Sequence, residues 1–244
     1  IADIYLLSAD RQSIIGRPTL YAVIDVYSRL IAGFYVGLEN PSYVTAMLAL
    51  VNAMTDKVQL CQSYGYDIES EDWPSIGIPD AILADRGELL GYQIEYLEQA
   101  FGVRIENTPP YRGDAKGIVE RNFRTLQADF KPFAPGVVTG NIVRKRGGKD
   151  YRLDATLTLH EFTKIIIGSI LHRNQHSVLV KYDRDPEMPD TLAPIPINIW
   201  HWGIQNRSGR LRNTSAAALK IALLPRQKVT LSDYGIQCFG AYYT

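Results

Sequence analysis

The sequence predicts an α/β fold, a mixed β-sheet covered by helices. Three observations predict it. The chain opens with three apolar segments rich in β-branched and aromatic residues, joined by short links, which is most simply an antiparallel meander. Short apolar strands then alternate with segments of helical periodicity. The composition is globular: of 244 residues, 46% are hydrophobic, 21% charged and 10% aromatic. That balance excludes disordered, collagen-like and coiled-coil classes.

Ile1–Leu7 reads as the first strand, followed by a polar turn through Ser8–Ser13. Gly16-Arg17-Pro18 breaks the chain before the second strand, Thr19–Tyr27. Ser28-Arg29 connects it tightly to the third, Leu30–Gly37. Pro41-Ser42 opens a helix in which Val44, Met47, Leu48, Val51 and Met54 recur at helical spacing and predict one apolar face. Tyr66–Pro74 carries four acids and reads as a surface loop. Ala81–Asp85 is a short apolar strand ending in a carboxylate. Leu90, Ile94, Leu97 and Phe101 stripe a helix over Leu89–Phe101, which Gly102 ends, and Val103-Arg104-Ile105 is the next strand. Asp114 is placed to N-cap a helix running to about Lys131.

Beyond Pro132 the pattern changes. Residues 133–150 are rich in Gly, Lys and Arg and read as a mobile basic loop, and Leu159–Leu171 is a further helix. Residues 181–215, with Pro186, Pro189, Pro194 and Pro196, read as a connector. Lys228–Leu231 and Gly235–Tyr243 read as strands of a small β-barrel, complete or partial. The expected organisation is a core over 1–180, a connector over 181–215 and the barrel segment over 216–244.

No apolar run approaches the ~20 residues of a membrane helix, and the first residues lack the features of a signal peptide. Cys61 and Cys238 lie far apart in sequence, which argues against a disulfide framework. A cytoplasmic protein without a membrane partner is expected. The net charge of zero hides an asymmetry: residues 1–100 hold 5 basic and 14 acidic side chains, and residues 101–244 hold 21 and 12. The second half would attract a polyanion, and the first half is rich in potential metal ligands. Two differently charged solvated surfaces would look the same.

Asp85 and Glu120, 35 positions apart, are the most informative pair. Asp85 sits at the carboxyl end of a strand, where α/β sheets place functional groups. Glu120 lies on a helix with Lys116 and Arg124 at i−4 and i+4. Neighbouring carboxylates on a strand and a helix can hold two divalent cations ~4 Å apart, which stabilise both the attacking and leaving oxygens of a phosphodiester. Taken singly, Asp85 is an ordinary strand-end residue and Glu120 an ordinary ion-pair partner of Arg121 or Arg124. Asp25, before Ser28-Arg29, reads as structural, pairing with Arg29 or capping the turn. His172 and His176 have i, i+4 spacing but no acid or cysteine partner, so zinc is not expected.

Several segments together resemble a family. Ala84-Asp85-Arg86-Gly87-Glu88, Thr108–Gly117 and Val119-Glu120-Arg121 resemble the second and third motifs of DDE transposases and retroviral integrases, and Ile24–Arg29 resembles the second strand and turn of their catalytic core. Tyr182–Asp190, Pro194–Gly203 and Leu223-Leu224-Pro225-Arg226 look like TnsB-type transposases, relatives of the phage Mu transposase that carry a small β-barrel after the core. The resemblance covers nearly the whole chain. It implies a ribonuclease H-like core in which Asp85 and Glu120 are the second and third metal-binding carboxylates. The first would be Asp3, the carboxylate of the opening strand, or an aspartate preceding Ile1. Asp3 is followed by Ile4-Tyr5, a departure from the family pattern. The implied activity is metal-dependent cleavage of transposon 3′ ends and strand transfer to target DNA, with two Mg²⁺ ions (Mn²⁺ as substitute). Tyr111, Arg112, Lys116, Arg121 and Arg124 would line the DNA path. Implied partners are DNA, further copies of the chain, an endonuclease subunit and an ATP-dependent target regulator. Two other readings stay open: a ribonuclease H-like nuclease that cuts without joining, and a catalytically inactive DNA-binding and assembly module.

Overall fold

The computed structural model describes residues 1–84, 99, 101–107, 117, 121, 124–128, 134, 137, 151–207, 211–223, 229–232, 235–238 and 241–243. Among them the architecture is mixed α/β. β1 (Leu6–Leu7) pairs antiparallel with β2 (Ile14–Gly16), and β3 (Thr19–Ile24) with β4 (Ile31–Gly37). β5 (Ala81–Ala84) and β6 (Arg104–Asn107) are parallel, with Ala81 opposite Arg104 and Ala84 opposite Asn107. The helices are α1 (Tyr43–Met54), α2 (Val58–Ser63), α3 (Leu159–His176), α4 (Pro196–Asn206) and α5 (Ala216–Leu223). β7 (Leu231–Ser232), β8 (Gly235–Cys238) and β9 (Ala241–Tyr243) close the chain as an antiparallel three-stranded sheet.

Where one mixed sheet is expected, the described residues form three separate two-stranded sheets. The opening segment shows why. Ala2, Ile4 and Leu6 are fully buried at period two, as in a half-buried strand. Its backbone bonds, however, are irregular: Ala2 N–H donates to Pro18 O and Ile4 bridges Val137, so only Leu6–Leu7 form a ladder. The second strand stops at Ile24 rather than Tyr27. There the Asp25 carboxylate accepts from both the amide (2.7 Å) and the hydroxyl (2.6 Å) of Ser28, which turns the chain. Asp25 therefore caps the turn, one of the two structural roles expected of it.

The main core packs Leu20, Leu30, Ile31 and Phe34 of the β3–β4 hairpin against Phe162, Ile166, Ile167 and Ile170 of α3, with Trp73 and Trp200 filling in. β4 is closed by side chains as well as by β3. The Asn174 amide both accepts from Ile31 N–H (2.9 Å) and donates to Ile31 O (3.0 Å), and Asn52 accepts from Phe34 N–H (2.9 Å). This pairing explains why α3 continues to His176 past the expected end at Leu171: the amide that favours a helix end in isolation is buried and paired here. Thr158 and Glu161 form a capping box at its start.

α1 lies on the β3–β4 hairpin. Met47, Val51 and Met54 are buried as expected, together with Ala46 and Leu50, but Val44 and Leu48 are 43% and 46% exposed. The two exposed residues lie on one flank of the helix, and the buried face is centred on Leu50 and Met54. α1 approaches β4 closely at Gly33, where a Cβ would lie 2.4 Å from Ala53 N and 2.5 Å from its Cα. Because both neighbouring atoms are backbone, Gly33→Ala must separate helix and strand. Urea unfolding is expected to show a loss of about 3 kcal/mol; a loss under about 1 kcal/mol would mean the two elements move apart freely.

Gly102 follows the helical Phe101 with φ +59, the left-handed ending read from the sequence. Of the expected helix from Asp114, residues 117, 121 and 124–128 are described and helical, and Leu126 is fully buried. The connector is more ordered than expected. Pro196 starts α4, which buries Pro196, Ile199, Trp200 and Gly203 at i, i+3, i+4 and i+7. Residues 216–223, assigned to the barrel segment, are helical, and Leu219 joins a second core with Met47, Leu50, Ile78 and Val103. Among the described residues the three C-terminal strands form an open sheet, not a closed barrel. No helix among them is long and apolar enough to cross a membrane.

Candidate nucleic-acid interface

Asp85, Tyr111, Arg112, Lys116 and Glu120 lie outside the described residues, as does the basic stretch 138–150. β5 ends at Ala84, immediately before Asp85, and runs parallel to β6. Asp3 is described. Its carboxylate accepts from the Arg17 guanidinium at 2.5 Å, and Arg17 Nε also donates to Ala2 O at 2.9 Å. Arg17 follows the break at Gly16, so the opening segment and the start of the hairpin are tied by one fork. Among the described residues no group of three or more His, Cys, Asp or Glu side chains could hold a metal ion. His172 and His176 lie with ring centroids 5.4 Å apart.

Arg121 and Arg124 are both exposed on their helical segment. Arg121 lines an open cleft of about 490 Å³, together with Arg29, Thr125, Arg173, Lys181 and Tyr182. Three separate pieces of chain build it. Arg29 comes from the β3–β4 turn, where its φ of 64 places it in the left-handed region and its amide donates to Asp25 O at 2.9 Å. Arg121 and Thr125 come from the helix anchored by Leu126. Arg173 lies in the last turn of α3, and Lys181 and Tyr182 follow that helix.

The described lining holds four cations and no carboxylate. Burial pulls the Arg29 guanidinium below its ordinary value. Tyr182 and Asp25 oppose that shift, and the like charge of Arg121 adds to it. Burial also pushes the Tyr182 hydroxyl up to about 12. Aromatic packing supports this wall of the cleft. Tyr182 meets Tyr27 edge-on at 6.5 Å, Tyr27 stacks on Trp202 at 6.3 Å, and Arg207 lies 5.6 Å over the Trp202 ring while pairing with Asp185. Trp200 and Trp202 thus pack the connector against the core.

Of the residues read as DNA-facing from the sequence, the structure brings Arg121 into this cleft. Sequence reasoning missed Arg173 and Lys181, and took Arg29 only as part of a turn. No local signal marks them. The one available hint was the excess of basic side chains after residue 100.

The TnsB C-terminal domain family matches residues 1–136. The transposon Tn7 transposition protein TnsB of Escherichia coli is 57% identical over 245 residues, which cover 100% of this chain and 35% of that protein. The transposase for transposon Tn552 of Staphylococcus aureus is 27% identical over 142 residues, 58% of this chain and 27% of that protein. The chain thus spans about a third or less of the length of these relatives. With a match across more than half of its residues and close identity along all of them, the chain belongs to the TnsB C-terminal domain family.

Proposed function

We propose that this chain is the catalytic region of a DNA transposase that cleaves transposon 3′ ends and joins them to target DNA. The observation that carries the reading is the 57% identity along the whole chain to a transposition protein. In this reading residues 1–180 are a ribonuclease H-like core, 181–215 a connector and 216–244 part of a small barrel. Asp85, next in sequence after β5, and Glu120, within the helix expected from Asp114, would hold divalent cations. Hard carboxylate oxygens suit Mg²⁺, with Mn²⁺ as a substitute. The third carboxylate is Asp3 or an aspartate before Ile1; the ion pair with Arg17 gives Asp3 a competing partner. Two bound cations would supply charge neutralisation at the reacting phosphate.

The chain's own residues hold and orient DNA. Arg112, Lys116, Arg121 and Arg124 neutralise backbone phosphates, and Tyr111 stacks on an unpaired base. In the first step a water oxygen bonds to phosphorus as the P–O3′ bond at the transposon end breaks, leaving a 3′-OH. In the second, that 3′-OH bonds to a target phosphorus as the target P–O3′ bond breaks. The first step converts a phosphodiester and water into a 5′-phosphate and a 3′-OH, the leaving oxygen taking up the proton that the water gives up, and the second exchanges one phosphodiester for another, so no covalent protein intermediate is needed. The whole protein would act as a multimer on paired ends, with an endonuclease subunit and an ATP-dependent target regulator as partners.

The test is an oligonucleotide assay with the longer protein, Mg²⁺, an end sequence and a target duplex. Both a cleaved 3′ end and a joined product are expected. Hydrolysis without joining would identify a nuclease, and DNA binding without either product an assembly module.

A further inference from the structure

We propose that the cleft between the β3–β4 turn, the helical residues 121 and 124–128 and the end of α3 is a binding track for the sugar-phosphate backbone of a DNA strand. Arg29, Arg121, Arg173 and Lys181 are its phosphate ligands. The proposal rests on the DNA-transposase reading for the identity of the polyanion and adds to it a site that includes two cations, Arg173 and Lys181, outside the segments that resemble the family.

Four observations carry it. The described lining brings four cations together, a concentration of positive charge that attracts a polyanion. Three of the four are arginines, whose planar forks match phosphate oxygens. The cleft is open and about 490 Å³ in volume, against roughly 30 Å³ for a water molecule. A single inorganic phosphate would leave most of it filled with solvent, whereas a run of nucleotides occupies it. Finally, Val178 and Val180, which also line the cleft, are 58% and 90% exposed, so that edge of the cleft is open to solvent and accessible to an extended strand.

The cleft is assembled from rigid parts. Asp25 and Ser28 hold the turn that carries Arg29, Asn174 ties the end of α3 to β4 beside Arg173, and the Tyr27–Trp202 stack backs Tyr182. Preorganised cations bind an anion without the entropic loss of gathering flexible side chains.

The test is fluorescence anisotropy of this chain on a labelled DNA duplex across a salt series, with Lys181→Ala, Arg121→Ala and the double variant. Both side chains are exposed, so the fold should persist, and equal unfolding midpoints check that. Each single change should reduce the slope of log affinity against log salt by about 0.9, the double change by about 1.8, and each should weaken binding about eightfold at 0.1 M salt. Lys164→Ala removes a cation from the first half of α3, roughly 15 Å along the helix from Arg173, and should leave the slope unchanged. An unchanged slope in Lys181→Ala, or one no different from Lys164→Ala, overturns the proposal. So does displacement of DNA by inorganic phosphate beyond the effect of equal ionic strength, which would mark a small-anion site. If the longer protein joins DNA and these slopes do not move, the cleft proposal fails alone. If the slopes move and no joining occurs, the cleft stands and the transposase reading fails.

Discussion

Alanine at Asp85 or Glu120 in the longer protein is expected to lower end cleavage and strand joining together, by about a thousandfold or more, while DNA binding stays within about twofold. The loss should fall on both steps because the same carboxylates serve both. It should also be steep, since each removes a ligand from a site that must neutralise charge at the reacting phosphate. DNA binding should survive because affinity comes mainly from phosphate contacts by Lys and Arg, not from carboxylates. Strand transfer that persists in either variant would sink the assignment. Calorimetry with Mn²⁺ on the present chain separates the remaining candidate. Each of the two alanine changes should weaken Mn²⁺ binding, whereas Asp3→Ala, which frees Arg17 from its ion pair, should leave it unchanged if the first ligand precedes Ile1. Loss of Mn²⁺ binding in Asp3→Ala would instead make Asp3 that ligand.

Lys57 is the second place where one side chain should have a large effect. It is 1% exposed at the start of α2, and its ammonium donates to Ala53 O (3.1 Å), to Ser75 Oγ (2.9 Å) and to Ser75 O. Ser75 Oγ donates in turn to Ala32 O at 2.7 Å, and the Trp73 ring lies 5.9 Å from Nζ. One ammonium thus joins the end of α1, the loop at 73–75 and β4. Lys57→Met keeps the stem but leaves three buried acceptors without that donor. At pH 7 relief of the buried charge offsets much of that loss. At pH 9, where the folded side chain is neutral, the unpaired acceptors dominate and a loss of about 3 kcal/mol is expected by urea unfolding.

The same residue gives a pH signature. Burial pulls Lys57 down to about 7 from 10.5, with Asp56 and Cys61 opposing. Above pH 7 the unfolded chain therefore holds a proton on Lys57 that the folded chain releases, and stability rises with pH. Burial pushes the Cys61 thiol up to about 11 from 9.0, which acts in the opposite direction at higher pH and limits the clean window to pH 7–9. Across that window the wild type should gain about 2 kcal/mol relative to Lys57→Met. Parallel stability curves for the two proteins would show that Lys57 keeps its proton throughout.

Much of the local structure was legible in the sequence because its causes are local. β-branched residues between turn formers marked β3 and β4, an apolar strand before Asp85 marked β5, and Gly102 has the left-handed backbone that suits a helix-ending glycine, although most of the helix expected over 89–101 lies outside the described residues. The Pro196 start and the apolar residues at 199, 200 and 203 were equally present for α4, but the surrounding prolines masked them. The end of α3 was different in kind. Asn174 signals a helix end by itself, and only its burial against Ile31 reverses that signal.

For the candidate site the division is sharper. Sequence alone determined the order and spacing of the motifs around Asp85 and Glu120, and hence the family, because motifs are contiguous strings. Tertiary structure alone decided that Arg29, Arg121, Arg173 and Lys181 face one cleft and that Asp3 pairs with Arg17. Charges so far apart in the chain meet only when a turn, a helix and a helix end are packed on a common core, and no periodicity along a sequence encodes that convergence.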